Sequence, residues 1–246
     1  MRLSGARVVV TGAGRGIGKA TALACAREGA LVGVHTRTDA PNDVVRELTD
    51  SGLKALPLSF DVRDPGAVER GVGGFVRAAG GLDGWVNNAG VARPSLLVTA
   101  DEATIREQVD TNLLGALWCA RAALPHLLRA RGVLVNIGSA AASRPPRGQA
   151  VYAATKGALE ALTRALAVEV ARKGVRVHCV RPGPIATAML APTLAVAGDE
   201  AVLGRVPLGR LGGAEEVAAL VVFLLGAEAR YITGAVHTVD GGYQTG

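Results

Sequence analysis

Seven short apolar runs, each parted from the next by a longer connecting stretch, constrain this chain more than any other feature. The runs are RVVVT (7–11), LVGVHT (31–36), KALPLSF (54–60), LDGWVNN (82–88), GVLVNIG (132–138), VRVHCVR (175–181) and AVHTVD (235–240). They are rich in β-branched residues and apolar on both alternations, as strands covered on both faces must be. Helix-length segments fall near 17–28, 42–51, 65–79, 103–130, 151–173 and 214–225. Repeated β-α units of this kind predict an α/β fold, a doubly wound parallel sheet with right-handed crossovers and helices on both faces. No internal repeat, low-complexity tract or linker interrupts the pattern. With 246 residues and 49% hydrophobic content, the chain reads as one domain over 1–246. The least regular stretch, 183–213, is rich in Pro and Gly and too long for a plain connection; its middle, 186–208, reads as a substrate lid.

The first run ends in TGAGRGIG, residues 11–18. Glycines between a strand and a helix let a pyrophosphate approach the backbone and rest at the helix's positive N-terminus. The stretch is not G-x-G-x-x-G in any register, because Ile17, Lys19 and Thr21 stand where the last glycine belongs. It reads instead G-x-x-x-G-x-G, from Gly12, Gly16 and Gly18, and a tight turn alone would also use glycines here. The end of the second run narrows the choice of nucleotide. A carboxylate there would accept bonds from a ribose 2′-hydroxyl, whereas a 2′-phosphate needs basic or hydroxyl groups. The sequence offers Thr36 and Arg37, no acid before Asp39, and Arg15 in the glycine loop. These residues point to NADPH/NADP+ rather than NADH.

Other classes fall away on composition. No apolar run approaches the ~20 residues that span a bilayer, and the N-terminus enters a strand with no signal-peptide pattern. The net charge of +6 comes from scattered arginines, and aromatics make up only 3%, which disfavours a nucleic-acid surface. Cys25, Cys119 and Cys179 form neither a metal pattern nor a disulfide framework, which fits a cytoplasmic setting and no bound metal.

One of the three tyrosines, Tyr152, precedes by four positions one of only four lysines, Lys156. A free phenol has a pKa of about 10, too high for ready proton exchange near neutrality. Residues i and i+4 share a helix face. A unit charge about 4 Å away is worth roughly 4 kcal/mol at an effective dielectric of 20, enough to draw the phenol toward neutral pH. The pair therefore predicts a tyrosine general acid–base tuned by its lysine. A packed phenol beside a surface lysine is the bland alternative.

TGAGRGIG, the Asp61–Val62 pair, NNAG (87–90), Asn112, Ser139, YAATK (152–156) and RPG (181–183) occur in one ordered series, with Tyr152 thirteen positions after Ser139. In this the chain resembles the short-chain dehydrogenase/reductases over essentially its whole length. The resemblance implies a single seven-stranded Rossmann-type domain, usually a tetramer paired through the helices at 103–130 and 151–173. It implies that Lys156 holds the nicotinamide ribose, that Ser139 donates to the substrate oxygen, and that Asn112 steadies a water linking Lys156 to solvent. Asn88, Ala89 and Gly90 would line the ribose, and Asp61 and Val62 the adenine. Pro182, Gly183, Ile185 and Thr187 would hold the nicotinamide amide and nearby phosphate. Along the 151–173 helix, Ala158, Ala161 and Ala165 with Gly157 leave a face smooth enough for a second subunit.

Within the family the likeness is to 3-oxoacyl-acyl-carrier-protein reductases, in VPLGRLGGAEEVAALVVFLL (206–225) and YITGAVHTVDGG (231–242). The segment SRPPRGQAV (143–151) departs from their usual Gly/Asn-rich loop, and Val151 stands where asparagine is usual. The expectation is an NADPH-dependent reductase of a 3-oxoacyl thioester, carrier-bound or of polyketide type. A dehydrogenase of a small alcohol, sugar or steroid-like ketone is the alternative, and a non-catalytic nucleotide sensor the more distant one. Arg129, Arg131, Arg172 and Lys173, at helix ends, offer an acidic carrier protein a basic dock, although cations also simply cap helix C-termini.

Overall fold

The computed structural model describes residues 1–38 and 43–245. All seven apolar runs form strands: β1 (Arg7–Val10), β2 (Leu31–Thr36), β3 (Ala55–Ser59), β4 (Gly84–Asn87), β5 (Val133–Ile137), β6 (Arg176–Pro182) and β7 (Val236–Val239). They make one seven-stranded sheet in the order β3-β2-β1-β4-β5-β6-β7, with every pairing parallel. The strand order reverses between β1 and β4, and in open α/β sheets ligands bind outside the strand C-termini at such a reversal.

Burial on both faces explains the composition of the strands. In β1, Val8 and Val10 join one core with Val32, Val34, Val86 and Val135. Val9 joins the opposite core with Trp85, Leu134 and Val177. The described α-helices are α1 (Gly16–Arg27), α2 (Asp43–Asp50), α3 (Pro65–Ala79), α4 (Glu102–Val109), α5 (Gly115–Ala130), α6 (Ala150–Val170), α7 (Ala191–Ala197), α8 (Asp199–Leu203) and α9 (Ala214–Leu225). The α1–α9 pair packs over the first core, and α3, α5 and α6 over the second. Sequence chemistry sets some bounds closely. Asp64 caps α3 by accepting from the Ala67 N–H, Pro65 occupies the first turn, and Gly80 ends the helix left-handed at φ 75°.

Two stretches differ from expectation. The span 103–130 is not one helix: α4 passes through a π turn at Asp110–Leu114 into α5. The irregular span 183–213 contains α7 and α8. Asp39 and position 42, the first of the expected second helix, lie outside the described residues.

A buried polar chain fixes the centre of the sheet. Trp85 Nε1 donates to Asn87 Oδ1 (2.7 Å), Asn87 Nδ2 to Asn136 Oδ1 (2.9 Å), and Asn136 Nδ2 to Thr163 Oγ1 (2.9 Å). Each group finds a partner, so burial carries no unpaired penalty and β4, β5 and α6 are locked in mutual register. Farther along α6, Glu160 pairs with Arg181 (2.5 and 2.7 Å), tying the helix to β6 next to Pro182. Removing one partner of so buried a pair costs about 3–5 kcal/mol.

Candidate active site

The glycine loop is built on close approach. Gly12 and Gly16 have φ of 63° and 55°, a region open to glycine and strained for other residues. A Cβ at Gly18 would stand 2.3 Å from the Gly12 carbonyl oxygen, and one at Gly12 3.0 Å from Ala89 Cα. Neighbouring strands hold the loop in place. Thr11 Oγ1 accepts from the Asn88 and Ala89 N–H groups and donates to the Val86 carbonyl. Asn88 Nδ2 donates to the Thr11 and Gly12 carbonyls (2.8 and 3.1 Å). His35 accepts the Gly12 N–H at Nδ1 (3.1 Å), and its Nε2 lies 2.9 Å from the Phe60 carbonyl, which assigns the proton to Nε2. Burial pushes this imidazole down to about 4, so it serves as a neutral strut. Helix α1 starts at Gly16 without a side-chain cap, leaving its first N–H groups to the cleft.

At the other end of the cleft, Ser139 follows β5, and Tyr152 and Lys156 occupy the first turns of α6. Lys156 is 4% exposed; its Nζ donates to the Ile137 carbonyl at 2.8 Å and lies 5.7 Å from the centre of the Tyr152 ring. Burial lowers the ammonium to about 8. The phenol moves the other way: burial raises it, and a hydrogen bond with Ser139 partly opposes the rise. This corrects the expectation of a phenol depressed by its lysine. The helix places the two on one face, but the cation is turned to a backbone carbonyl. Ser139 also accepts the Ala141 N–H.

Asn112, buried in the π turn, accepts from the Val91 N–H (2.8 Å) and donates to the Val91 carbonyl (2.8 Å) and to Thr155 Oγ1 (3.3 Å). Its side chain therefore fastens the segment after β4 to α6, and π turns frequently mark functional sites. A Cβ on Gly90 would come 3.2 Å from Asn112 Oδ1 and 3.6 Å from Lys156 Nζ, so glycine there keeps the lysine's surroundings open.

The expected site residues converge on two adjoining clefts. The first runs from Ser139, Tyr152 and Lys156 past Pro182, Gly183, Ile185 and Thr187 to Gly16, Ile17, Gly18 and Asn88. The second holds Arg37, Asp61 and Val62. Gly12, Arg15, Ala89 and Gly90 border both, which makes one channel across the switch point. Two expected residues sit off its wall. Asn112 lies behind it, and Thr36 donates its hydroxyl to the Thr38 carbonyl (2.9 Å) while its methyl faces the glycine loop at Gly14. Sequence reasoning missed His35 and Arg63. Arg63 lines the second cleft and holds the Asp61 carboxylate at 2.5 Å, below the usual carboxylate range. Its place directly after Asp61–Val62 was a signal; His35 carried none. The far end thus presents Arg15 and Arg37, beside an Arg63 paired with Asp61, the one expected acid, and suits an anionic group. Among the described residues no cluster fits a metal ion, and no helix is long and apolar enough to cross a membrane.

Comparison with known proteins agrees with this geometry. A family model described as enoyl-(acyl carrier protein) reductase matches residues 12–244. The chain is 40% identical over 244 residues to the 3-oxoacyl-acyl-carrier-protein reductase FabG of Pseudomonas aeruginosa, covering 98% of each. To the enzyme of that name from Thermotoga maritima it is 36% identical, covering 98% of this chain and 99% of the relative. A gluconate 5-dehydrogenase from Burkholderia cenocepacia, solved with NADP and tartrate, superposes with a TM-score of 0.96 at 30% identity, over 100% of this chain and 97% of that one. A short chain dehydrogenase from the same organism, solved with NADP, gives 0.91 at 36% identity over 99% of both. The chain belongs to the short-chain dehydrogenase/reductase family of oxidoreductases, and among them it is similar to 3-oxoacyl-acyl-carrier-protein reductases.

Proposed function

We propose that this protein reduces the ketone of a 3-oxoacyl thioester with NADPH, Tyr152 supplying the proton. The observation that carries the reading is the continuous channel from the Ser139–Tyr152–Lys156 group to the arginines at Arg15, Arg37 and Arg63. Its glycine-walled centre suits a pyrophosphate, and its basic end suits a 2′-phosphate. NADPH, when bound, supplies the hydride.

The chain's own residues do the rest. Ser139 and Tyr152 direct their hydroxyls at the substrate oxygen, and Tyr152, kept protonated by burial, gives up its proton as charge develops there. Lys156 holds a positive charge beside the nascent phenolate and is itself held by the Ile137 carbonyl. Asn112 keeps the Val91 backbone and α6 in fixed relation, and the second lone pair of its Oδ1 is left to accept from a water on a proton path to Lys156. Arg37 and Arg63 contact the phosphate end, with Thr36 shaping the loop beside them. The segment 186–208, carrying α7 and α8, closes over the substrate as a lid on the single domain.

A specific observation also keeps a small hydroxy-acid substrate in view: the 0.96 superposition on a gluconate 5-dehydrogenase. Assembly as a homotetramer is part of the proposal. The outward face of α6, with Ala161, Ala165 and an 83%-exposed Val168, is smooth enough for a partner helix. Three buried free thiols suit a cytoplasmic setting. The test is turnover of NADPH with a 3-oxoacyl thioester and with 5-oxogluconate. Consumption of NADPH with the thioester and little with the sugar acid supports the first reading; the reverse supports the second.

A further inference from the structure

Beside the Ser139 end of the channel lies a second cavity of about 1300 Å³, its mouth included. Pro94, Pro146, Leu190 and Val202 give it an apolar wall, and among the described residues Arg147 and Arg205 are the charged ones in its lining. Neither arginine is in an ion pair among the described residues, whereas ten other basic side chains are. Arg205 is held ready rather than left loose. Its guanidinium lies 4.9 Å from the ring centre of Tyr243, a residue 4% exposed and packed on Ala140 and Val206. Arg144 stands 5.3 Å from the same ring and donates to the Tyr243 carbonyl. Stacking on an aromatic face fixes a guanidinium's plane while leaving its N–H fork free. Arg147 comes from the segment 143–151, the one whose sequence departs from the Gly/Asn-rich loop of 3-oxoacyl-acyl-carrier-protein reductases.

We infer that this cavity is a substrate subsite for an oxyanion: the ketone carries, beyond an apolar stretch, a carboxylate or phosphate group that Arg205 and Arg147 bind. The inference rests on the ketoreductase reading and specifies its substrate. A largely apolar cavity whose lining carries two arginines outside any ion pair and no acid disfavours cationic substrates, and it favours an oxyanion over a neutral acceptor because hydrogen bonds to charged groups are the stronger. A planar, forked guanidinium suits a carboxylate or a phosphate bidentately. The carboxylate of a free oxo acid and the phosphate of a pantetheine arm share this chemistry.

Two substrate pairs separate these sources in an NADPH assay. One is an oxo acid and its methyl ester; the other is a 3-oxoacyl 4′-phosphopantetheine thioester and its dephosphorylated form. Hydrogen bonds to charged groups translate into about tenfold to a hundredfold in binding. The wild-type kcat/KM should therefore favour the anionic member of one pair by at least about tenfold, chiefly through KM, and the pair concerned identifies the source. Arg205→Met should bring that ratio close to one, Arg147→Met should lower it, and Arg205→Lys should keep part of it. Arg147 is exposed, so its variant reports even where Arg205→Met disturbs folding, checked by thermal midpoint. Equal kcat/KM within both pairs for the wild type, or a preference that survives both methionine variants, overturns the subsite. No NADPH consumption with any of the four compounds overturns the ketoreductase reading beneath it.

Discussion

The Lys156 ammonium stands 5.7 Å from the centre of the Tyr152 ring and gives its hydrogen bond to the Ile137 carbonyl instead. The charge is near enough to stabilise a phenolate, yet burial is the larger influence on both groups. It lowers Lys156 to about 8 and raises Tyr152 above its ordinary value. The arrangement keeps the phenol protonated before reaction and a cation beside it.

A pH profile follows. The Tyr152 phenol, raised by burial, stays protonated across the neutral range, and the charge of Lys156 is lost as pH rises through about 8. The kcat/KM for ketone reduction should be flat below that pH and fall above it, since this parameter reports the free enzyme's groups. Stopped-flow or steady-state NADPH oxidation across the range measures it. A decline already complete by about pH 7 would point to a phenol lowered by its lysine after all.

Cofactor preference should rest more on Arg37 than on Thr36, whose hydroxyl is spent on Thr38. Arg37→Ala should raise the KM for NADPH by about tenfold or more, the scale of a lost hydrogen bond to a charged group, and leave NADH little changed. Adding Thr36→Asp should swing the preference to NADH, because a carboxylate repels a 2′-phosphate and accepts from a ribose hydroxyl. Wild-type kcat/KM values that already favour NADH would contradict this assignment.

Acid should destabilise the fold through two buried histidines. His35 and His178 are lowered from 6.5 to about 4 and about 3 by burial. Between these values and 6.5 the unfolded chain binds more protons than the folded one, so stability falls as pH falls through that window. Each group contributes a slope of up to about 1.4 kcal/mol per pH unit. Thermal midpoints should drop below pH 6.5, and His178→Leu should make the drop shallower. Equal slopes in the two proteins would remove His178 from the account.

Much of this was legible in the sequence, for identifiable reasons. The inner strands are buried on both faces and mostly apolar, and the edge strands β3 and β7, though largely half-buried or exposed, keep enough β-branched and apolar residues that all seven could be read from residue type. Helices α3 and α9 were bounded to the residue, and Asp64, Pro65 and Gly80 carry the local signals for the first. The π turn was not legible, because the pull of Val91 on Asn112 is a tertiary contact between segments 21 residues apart. Nor was the orientation of Lys156. Spacing places a residue on a face, but the acceptor that claims its side chain, here the Ile137 carbonyl, belongs to another element.

Chain topology also sharpens the question of a carrier protein. Arg129 and Arg131 precede β5 and Arg172 and Lys173 precede β6, at the strand ends opposite Ser139 and Gly183. The Arg131 side chain lies against Gly174, so the two helix ends are neighbours, away from their own subunit's cleft. They can serve a carrier only at a partner's cleft. Arg129→Glu with Arg172→Glu should raise the KM for an acyl-carrier substrate steeply, in a salt-dependent way, and leave a small 3-oxo ester nearly unaffected. Unchanged KM for both substrates would reduce these arginines to helix-end caps.

The central claim, that Tyr152 delivers the proton, is tested most directly by Tyr152→Phe. The variant keeps the ring and loses only the hydroxyl to which the proposal gives the proton transfer. NADPH affinity, followed by nicotinamide fluorescence, should be retained, while kcat for ketone reduction falls by about 10²–10⁴-fold, the usual worth of a general acid. A variant that binds NADPH and turns over the ketone at a near-normal rate would contradict the account.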